Sequence, residues 1–174
     1  MYTKLNTFLN EKRLNEFIII NGIKKPTKNS KGDFISNNYS DIINFYNWFG
    51  NSKFVDEFGR PLVAHHISYK RFSIFKPGIF GKMGAGMYFT SYEKDSDDWK
   101  KRDDDYIKYS VYLKSENLAV ISNPFAKKEL PESYDGILAF AGQSGEEIIV
   151  FKPEQIKSID NDGTYDIDDN DIYS

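Results

Sequence analysis

Apolar residues change their spacing near residue 50 of this chain. Before it they fall at helical intervals; after it they gather in short runs of the kind strands make. Leu5, Phe8, Leu9, Leu14 and Phe17 predict a helix over residues 2–17, ended by Asn21-Gly22. Residues 24–38 are rich in Lys, Asn and Ser, carry Pro26 and Gly32, and read as a polar loop. A second helix is expected next. Ser40 is placed to cap it, Ile42, Phe45, Tyr46 and Phe49 fall at i, i+3, i+4 and i+7, and Gly50 stops it. Strands are then expected at residues 61–66, around Phe72, Ile74 and Phe75, and at 85–90, 106–113, 118–121, 136–140 and 147–151. In the fourth of these Ile107, Tyr109, Val111 and Leu113 share one face. A short helix is expected near residues 93–101. After Asp160 the chain turns to Asp, Asn and Tyr, which predicts a mobile or loosely packed tail.

Helices first and strands afterwards make an α+β pattern. Strand and helix do not alternate as in a doubly wound fold, so a nucleotide site here is not expected to be a Rossmann site. There is no internal repeat. The expected division is a helical extension over 1–37, a core over 38–160 and an acidic tail over 161–174, forming one compact domain overall.

Composition sharpens this reading in a few places. The chain has 174 residues, 40% of them hydrophobic, with 14 Phe, 12 Tyr and 2 Trp. That is enough for one core and argues against disorder over most of the length. No apolar run nears the roughly 20 residues that span a membrane, and the start lacks an apolar leader, so no membrane partner is expected. Cysteine is missing, which excludes disulfides and thiolate zinc sites and suits a cytoplasmic setting. Net charge is −3, so a strongly basic groove for duplex nucleic acid is not advertised. Residues 160–171 hold six Asp (Asp160, Asp162, Asp166, Asp168, Asp169 and Asp171), which leaves the rest of the chain slightly basic.

Three stretches carry candidate chemistry. His65-His66 lie in a strand-like run, where neighbours point to opposite faces, so one of them at most serves a site on a given side. The pair also reads as core or surface histidines. A metal site is not expected, since no second His or Cys cluster completes one. Gly81-Lys82-Met83-Gly84-Ala85-Gly86 is neither a dinucleotide fingerprint nor a P-loop. It reads as a turn before a strand, or as a place where backbone approaches a ligand closely, with Tyr88 directly after it. Glu146-Glu147 precede Ile148-Ile149-Val150-Phe151 as a solvated strand end or as carboxylates held rigidly beside the core.

Taken with their surroundings these stretches resemble the His-Tyr-Glu branch of the ADP-ribosyltransferases, to which the poly(ADP-ribose) polymerase catalytic domains belong. The likeness is nearest to the compact bacterial and phage forms found in polyvalent proteins and toxins. It rests on Trp48-Phe49-Gly50, Ser52-Lys53, Asp56-Glu57-Phe58-Gly59-Arg60-Pro61-Leu62-Val63, His65-His66-Ile67-Ser68 and Gly86-Met87-Tyr88-Phe89-Thr90. Further pieces are Val111-Tyr112-Leu113, Tyr134-Asp135-Gly136-Ile137 and Glu147 through Ile156. It runs from about Trp48 to Ile159.

The resemblance implies a fold of two packed, mostly antiparallel sheets forming an NAD cleft, with N-terminal helices. It implies cleavage of the nicotinamide–ribose bond of NAD and transfer of ADP-ribose, with no metal. His66 would bond the adenosine-side ribose, and the backbone of Ile67 the nicotinamide amide. Ser68 would touch the nicotinamide-side ribose or support the site, with Gly86 beside the donor. Tyr88 would stack on nicotinamide, and Ser96 would bind its carboxamide. Glu147 would bind the ribose 2′-hydroxyl and stabilise the cationic transition state. Ile67 stands where the family carries glycine, adding bulk beside nicotinamide and disfavouring any positive φ. Gly145 stands where the arginine-modifying branch carries Glu or Gln, which argues against that branch.

The implied partners are NAD, a macromolecular acceptor (a protein or a single-stranded nucleic acid), and an antitoxin or regulatory protein. The acceptor is read as protein by default. Lys24-Lys25-Pro26-Thr27-Lys28 and the many aromatics bring in nucleic acid, although a solvated loop is the plainer reading of that stretch. The implied setting is a toxin, a phage-defence enzyme or a phage effector. The alternative is a catalytically inert module of the same fold that binds NAD or a partner. A structural protein is the third reading.

Overall fold

A computed structural model describes residues 14–79, 81, 84–92, 105–122, 133–140 and 146–174. The helix expected near residues 93–101, with Ser96, lies outside them. The helix expected over 2–17 reaches them only at its end, and there the chain is not helical. Phe17–Ile20 is a strand, β1, which pairs antiparallel with β2, Ile23–Pro26, where a polar loop was expected. Three consecutive isoleucines favour extended backbone over helix. Asn21 and Gly22, with φ of 51° and 79°, form the two-residue turn whose twist suits a hairpin.

The second helix stands as expected, α1 over Tyr39–Phe49, with Asn38 rather than Ser40 as its cap. Asn38 Oδ1 accepts from the Ser40 N–H at 3.1 Å. Gly50 ends the helix at φ 58°, its N–H donating to Tyr46 O. Ile42, Phe45, Tyr46, Trp48 and Phe49 are buried against Val63, Tyr112 and Tyr165.

The remaining strands are β3 Ala64–Ser68, β4 Met87–Phe89, β5 Ile107–Leu113, β6 Leu118–Ile121, β7 Gly136–Phe140, β8 Glu146–Val150 and β9 Ile156–Ser158. They form a three-stranded sheet, β3-β5-β9, and a four-stranded sheet, β4-β8-β7-β6; among the described residues only β6 and β7 pair in parallel. The molecule is therefore α+β. Around Phe72 and Phe75 the expected strand is replaced by bends.

Side-chain alternation fixes which faces meet. Ala64, Tyr109, Val111, Leu113 and Ile156 of the three-stranded sheet pack on Met87, Phe89, Ile148 and Val150 of the four-stranded sheet. The opposite face of the first sheet carries Tyr112 against α1. Tyr88, Ile137, Ala139 and Ile149 lie on the outer face of the second. β3 and β4 are joined at one bridge, His65–Thr90, so the helix-side face of one sheet runs on into the outer face of the other.

Turn residues within the resembling stretches hold this frame. Asp56 Oδ1 accepts from the Phe58 and Arg60 N–H groups, and its Oδ2 from Arg60 Nε at 2.7 Å. Trp48 Nε1 donates to Glu154 O at 3.0 Å. Gln155 Nε2 donates to the Lys114 and Asp135 carbonyls, and its Oε1 accepts from the Phe151 and Lys152 N–H groups. Burial opposes ionisation of Asp135, but bonds from Ser115 Oγ and from the Glu116 and Asn117 N–H groups outweigh it and hold the carboxyl below its usual range.

The tail is packed, contrary to the expectation of a mobile segment. Tyr165 and Ile172 are buried. The Ser158 N–H donates to Ile172 O, and the Ile172 N–H to Ser73 O, both at 2.8 Å. Lys157 is fully buried, and its Nζ donates to the carbonyls of Asp169, Asp171 and Ser174 at 2.9, 2.9 and 2.7 Å. Burial lowers its pKa, against the pull of Asp169, Asp166, Asp171 and Asp162. Asp162, Asp166, Asp169 and Asp171 each accept from the N–H two residues on, so the Asp-rich composition builds turns here.

Candidate active site where β3 and β4 part

β3 and β4 begin to pair and then stop. The His65 N–H donates to Thr90 O at 2.8 Å and the Thr90 N–H to His65 O at 3.0 Å. In an antiparallel ladder the next rung of this kind falls two residues on, which here pairs Ile67 with Tyr88. Among the described residues that rung is not formed. Instead His66 Nδ1 lies 2.8 Å from Tyr88 O. A carbonyl only accepts, so Nδ1 carries the proton. The imidazole has taken the carbonyl that the Ile67 N–H would use. His66 thereby acts as a wedge, and both backbone groups of Ile67 face the opened edge, because they turn to the same side as those of His65. Ile67 has no positive φ, so a branched residue sits there without backbone strain.

The His66 ring packs among Phe72, Phe75, Phe89 and Tyr109, at centroid separations of 5.2–6.4 Å. Burial lowers its pKa, and the bond to the Tyr88 backbone only partly offsets this. At neutral pH the ring is therefore neutral, with Nε2 as a lone-pair acceptor. The sign of the pH effect follows. A depressed folded-state pKa contributes stability that is complete above the unfolded value of about 6.5 and is lost as pH falls toward the folded one. The melting temperature is expected to fall between pH 7 and pH 5, and less steeply in His66→Asn. Parallel profiles for the two proteins would remove His66 as the titrating group.

Tyr88 stands on the outer face, its hydroxyl donating to Gly84 O at 2.7 Å. A Cβ at Gly81 would collide with the Tyr88 ring, and one at Gly86 would lie 2.5 Å from Ile149 Cγ2. The glycines of this stretch thus let backbone pass over the ring and over β8. Glu147 shares the face of Tyr88. Tyr88 pairs with Ile149, so Glu147 is its diagonal neighbour, with Cα atoms about 7–8 Å apart by ladder geometry. Ala139 is directly opposite Glu147 and adds little bulk. Oε2 of Glu147 is buried and, among the described residues, the sole buried side-chain polar atom without a hydrogen-bond partner. Glu146 turns the other way and accepts from Ser91 Oγ at 2.7 Å.

The opened Ile67 edge, Tyr88 and Glu147 therefore share one continuous face. The His66 side chain points to the other and meets Tyr88 through its main chain. Ser68 Oγ accepts from the Lys70 N–H at 3.1 Å and begins the turn out of β3. His65 is buried, with Nδ1 3.0 Å from Ser110 Oγ. Sequence reasoning missed Phe72, Phe75 and Tyr109 as the wall around His66, and Lys108 as the cross-strand partner of Ile67. Period-two spacing gave the faces of Lys108 and Tyr109, but only long-range pairing and packing bring these residues here.

No group of His, Asp or Glu among the described residues is arranged to hold a metal ion. No described helix is long and apolar enough to cross a membrane. No protein-family model and no curated protein matches the chain.

Proposed function

We propose that this protein has an ADP-ribosyltransferase fold and splits NAD, passing ADP-ribose to a macromolecular acceptor. The observation that carries the reading is the buried, unpartnered Oε2 of Glu147, on the same face as an aromatic ring and an opened strand edge. A buried carboxylate oxygen without a partner costs stability, and a hydroxyl donor from a ligand would satisfy it. The ribose 2′-hydroxyl of NAD is such a donor. The Ile67 N–H and C=O match the acceptor and donor of a carboxamide. Tyr88 offers a π-face to a flat cationic ring. His66 Nε2 lies on the opposite face, and would accept from a hydroxyl of the second ribose where NAD passes through the gap between β3 and β4.

The chemistry then follows. The bond between ribose C1 and the nicotinamide nitrogen breaks, its electron pair leaving with neutral nicotinamide. Positive charge develops on the ribose, and the Glu147 carboxylate stabilises it in a site shielded from water. A nucleophile of the acceptor attacks C1, and its proton passes to solvent. Nothing is oxidised or reduced, and the protein supplies binding, orientation and charge.

The test is a melting curve of the full chain with and without NAD. NAD is expected to raise the melting temperature in wild type and in His65→Ala. The rise should shrink in Tyr88→Ala, and also in His66→Ala, where the wedge is gone and the two strands are free to close. An equal response in all four proteins would overturn the site.

A further inference from the structure

We infer that the acceptor is a single-stranded nucleic acid, held on a ledge of two touching tyrosines beyond the opened edge. The inference rests on the proposed NAD site and names what that site modifies. In the β3–β5 ladder Ile67 faces Lys108. One rung further in the same register, Tyr69 and Tyr106 meet with ring centroids 3.9 Å apart and planes inclined by 30°. Strand alternation puts Tyr69 and Tyr106 on the face of Ile67 and Lys108, about 7 Å along from the site. Tyr69 is 60% exposed although its ring lies against Tyr106, so it turns an aromatic face to solvent.

The charge beside the ledge has the sign a phosphodiester backbone requires. Residues 58–92 contain no Asp or Glu and, besides Arg60, which Asp56 holds, carry Lys70, Arg71, Lys76 and Lys82, in a chain of net charge −3. That stretch carries both β3 and β4. Lys70 and Arg71 directly follow Tyr69 and are exposed. Arg71 and Lys108 line a concavity of about 410 Å³, so they border solvent; Asp160 is in the same lining, and Asp103, Asp104 and Asp105 directly precede Tyr106 in the sequence. Exposed rings beside cations are the means by which proteins hold unpaired bases, since every base has a π-face and every nucleotide a charge. A duplex does not fit, because its bases are already stacked. The adenine of NAD is not the occupant, since His66, the proposed contact of the adenosine-side ribose, points to the opposite face of β3.

In the transfer the C1–nicotinamide bond of NAD breaks and nicotinamide leaves with the electron pair. A nitrogen or oxygen of the unpaired base bonds to C1, and its proton goes to solvent. NAD is the sole co-reactant.

The test uses the full chain and a fluorescein-labelled 12-nucleotide single strand of mixed sequence, as DNA and as RNA, with the matching duplex as control. Anisotropy should report binding of at least one single strand over the duplex, weakening as salt rises. Tyr69→Ala should weaken it roughly tenfold, and Lys70→Glu with Arg71→Glu should abolish it while the melting temperature holds. With labelled NAD, the strand should gain the mass of one ADP-ribose. If wild type releases nicotinamide but binds neither strand, or labels a protein of a cell extract and no nucleic acid, the inference fails and the proposed function stands. If a strand binds but no nicotinamide is released, the proposed function fails, and with it the strand's role as acceptor.

Discussion

Glu147→Gln is expected to cut nicotinamide release by about 10²–10³-fold, the usual loss when a charge aimed at a transition state is removed. The fold should not suffer. Oε2 of Glu147 is buried without a partner, and a neutral amide is cheaper to bury than a carboxylate. Activity and stability should therefore move in opposite directions, with melting temperature unchanged or raised. Glu146→Gln is the control. It loses the contact with Ser91 on the other face of β8 and should keep most activity. Equal losses in the two variants, or a lowered melting temperature in Glu147→Gln with activity retained, would make Glu147 a structural residue.

Lys157→Met should be the most damaging of these substitutions to stability, at about 2–4 kcal/mol. Its ammonium satisfies three main-chain carbonyls at once, and each is left without that donor when it goes. Methionine keeps the buried stem but leaves Asp166, Asp169 and Asp171 without their central cation. The damage should spread along a traceable path. The tail carries Ile172, which is fully buried and holds the Ser73 carbonyl. Ser73 lies between Phe72 and Phe75, which wall His66. Loosening the tail should therefore weaken the response to NAD as well. Chemical denaturation measures the first effect and limited proteolysis the second, through early cleavage after residue 160. A loss below about 1 kcal/mol, in the range of ordinary surface changes, would mean that Tyr165 and Ile172 hold the tail unaided.

The parts of the fold legible in the sequence are those set by local pattern. Ile42, Phe45, Tyr46 and Phe49 repeat at helical spacing and Gly50 follows them, so α1 was readable to its last residue. Ile107, Tyr109, Val111 and Leu113 alternate, and they do share the core face of β5. The failures come where local and distant preferences compete. Leu14 and Phe17 suit a helical stripe, but the Ile18–Ile20 run and the Asn21-Gly22 turn favour a hairpin, and the packing of Ile18 and Ile20 beside α1 agrees with it. The Asp-rich tail has no periodic apolar pattern, since its two buried apolar side chains, Tyr165 and Ile172, stand among Asp and Asn. What gathers it is a lysine from the preceding strand, which no local pattern announces.

The candidate site divides in the same way. His66, Tyr88 and Glu147 are named by the resemblance, whereas alternation alone sets Glu146 and Glu147 on opposite faces. The interruption of the β3–β4 ladder was not legible. It depends on a side chain of one strand taking a carbonyl of another, 22 residues away. The same interruption removes the difficulty of Ile67. What the proposed site would need from this position is a backbone N–H and C=O facing an open edge, and isoleucine would supply these as glycine would.

The most direct test of the central claim is nicotinamide release from NAD by the full chain, followed by chromatography. The account predicts steady release by wild type, abolished in Glu147→Gln and strongly reduced in His66→Ala, with both variants folded by circular dichroism. A folded wild-type chain whose melting temperature rises with NAD, yet which releases nicotinamide no faster than Glu147→Gln in the presence of cell extract, would contradict it. The protein would then be a module that binds NAD without consuming it.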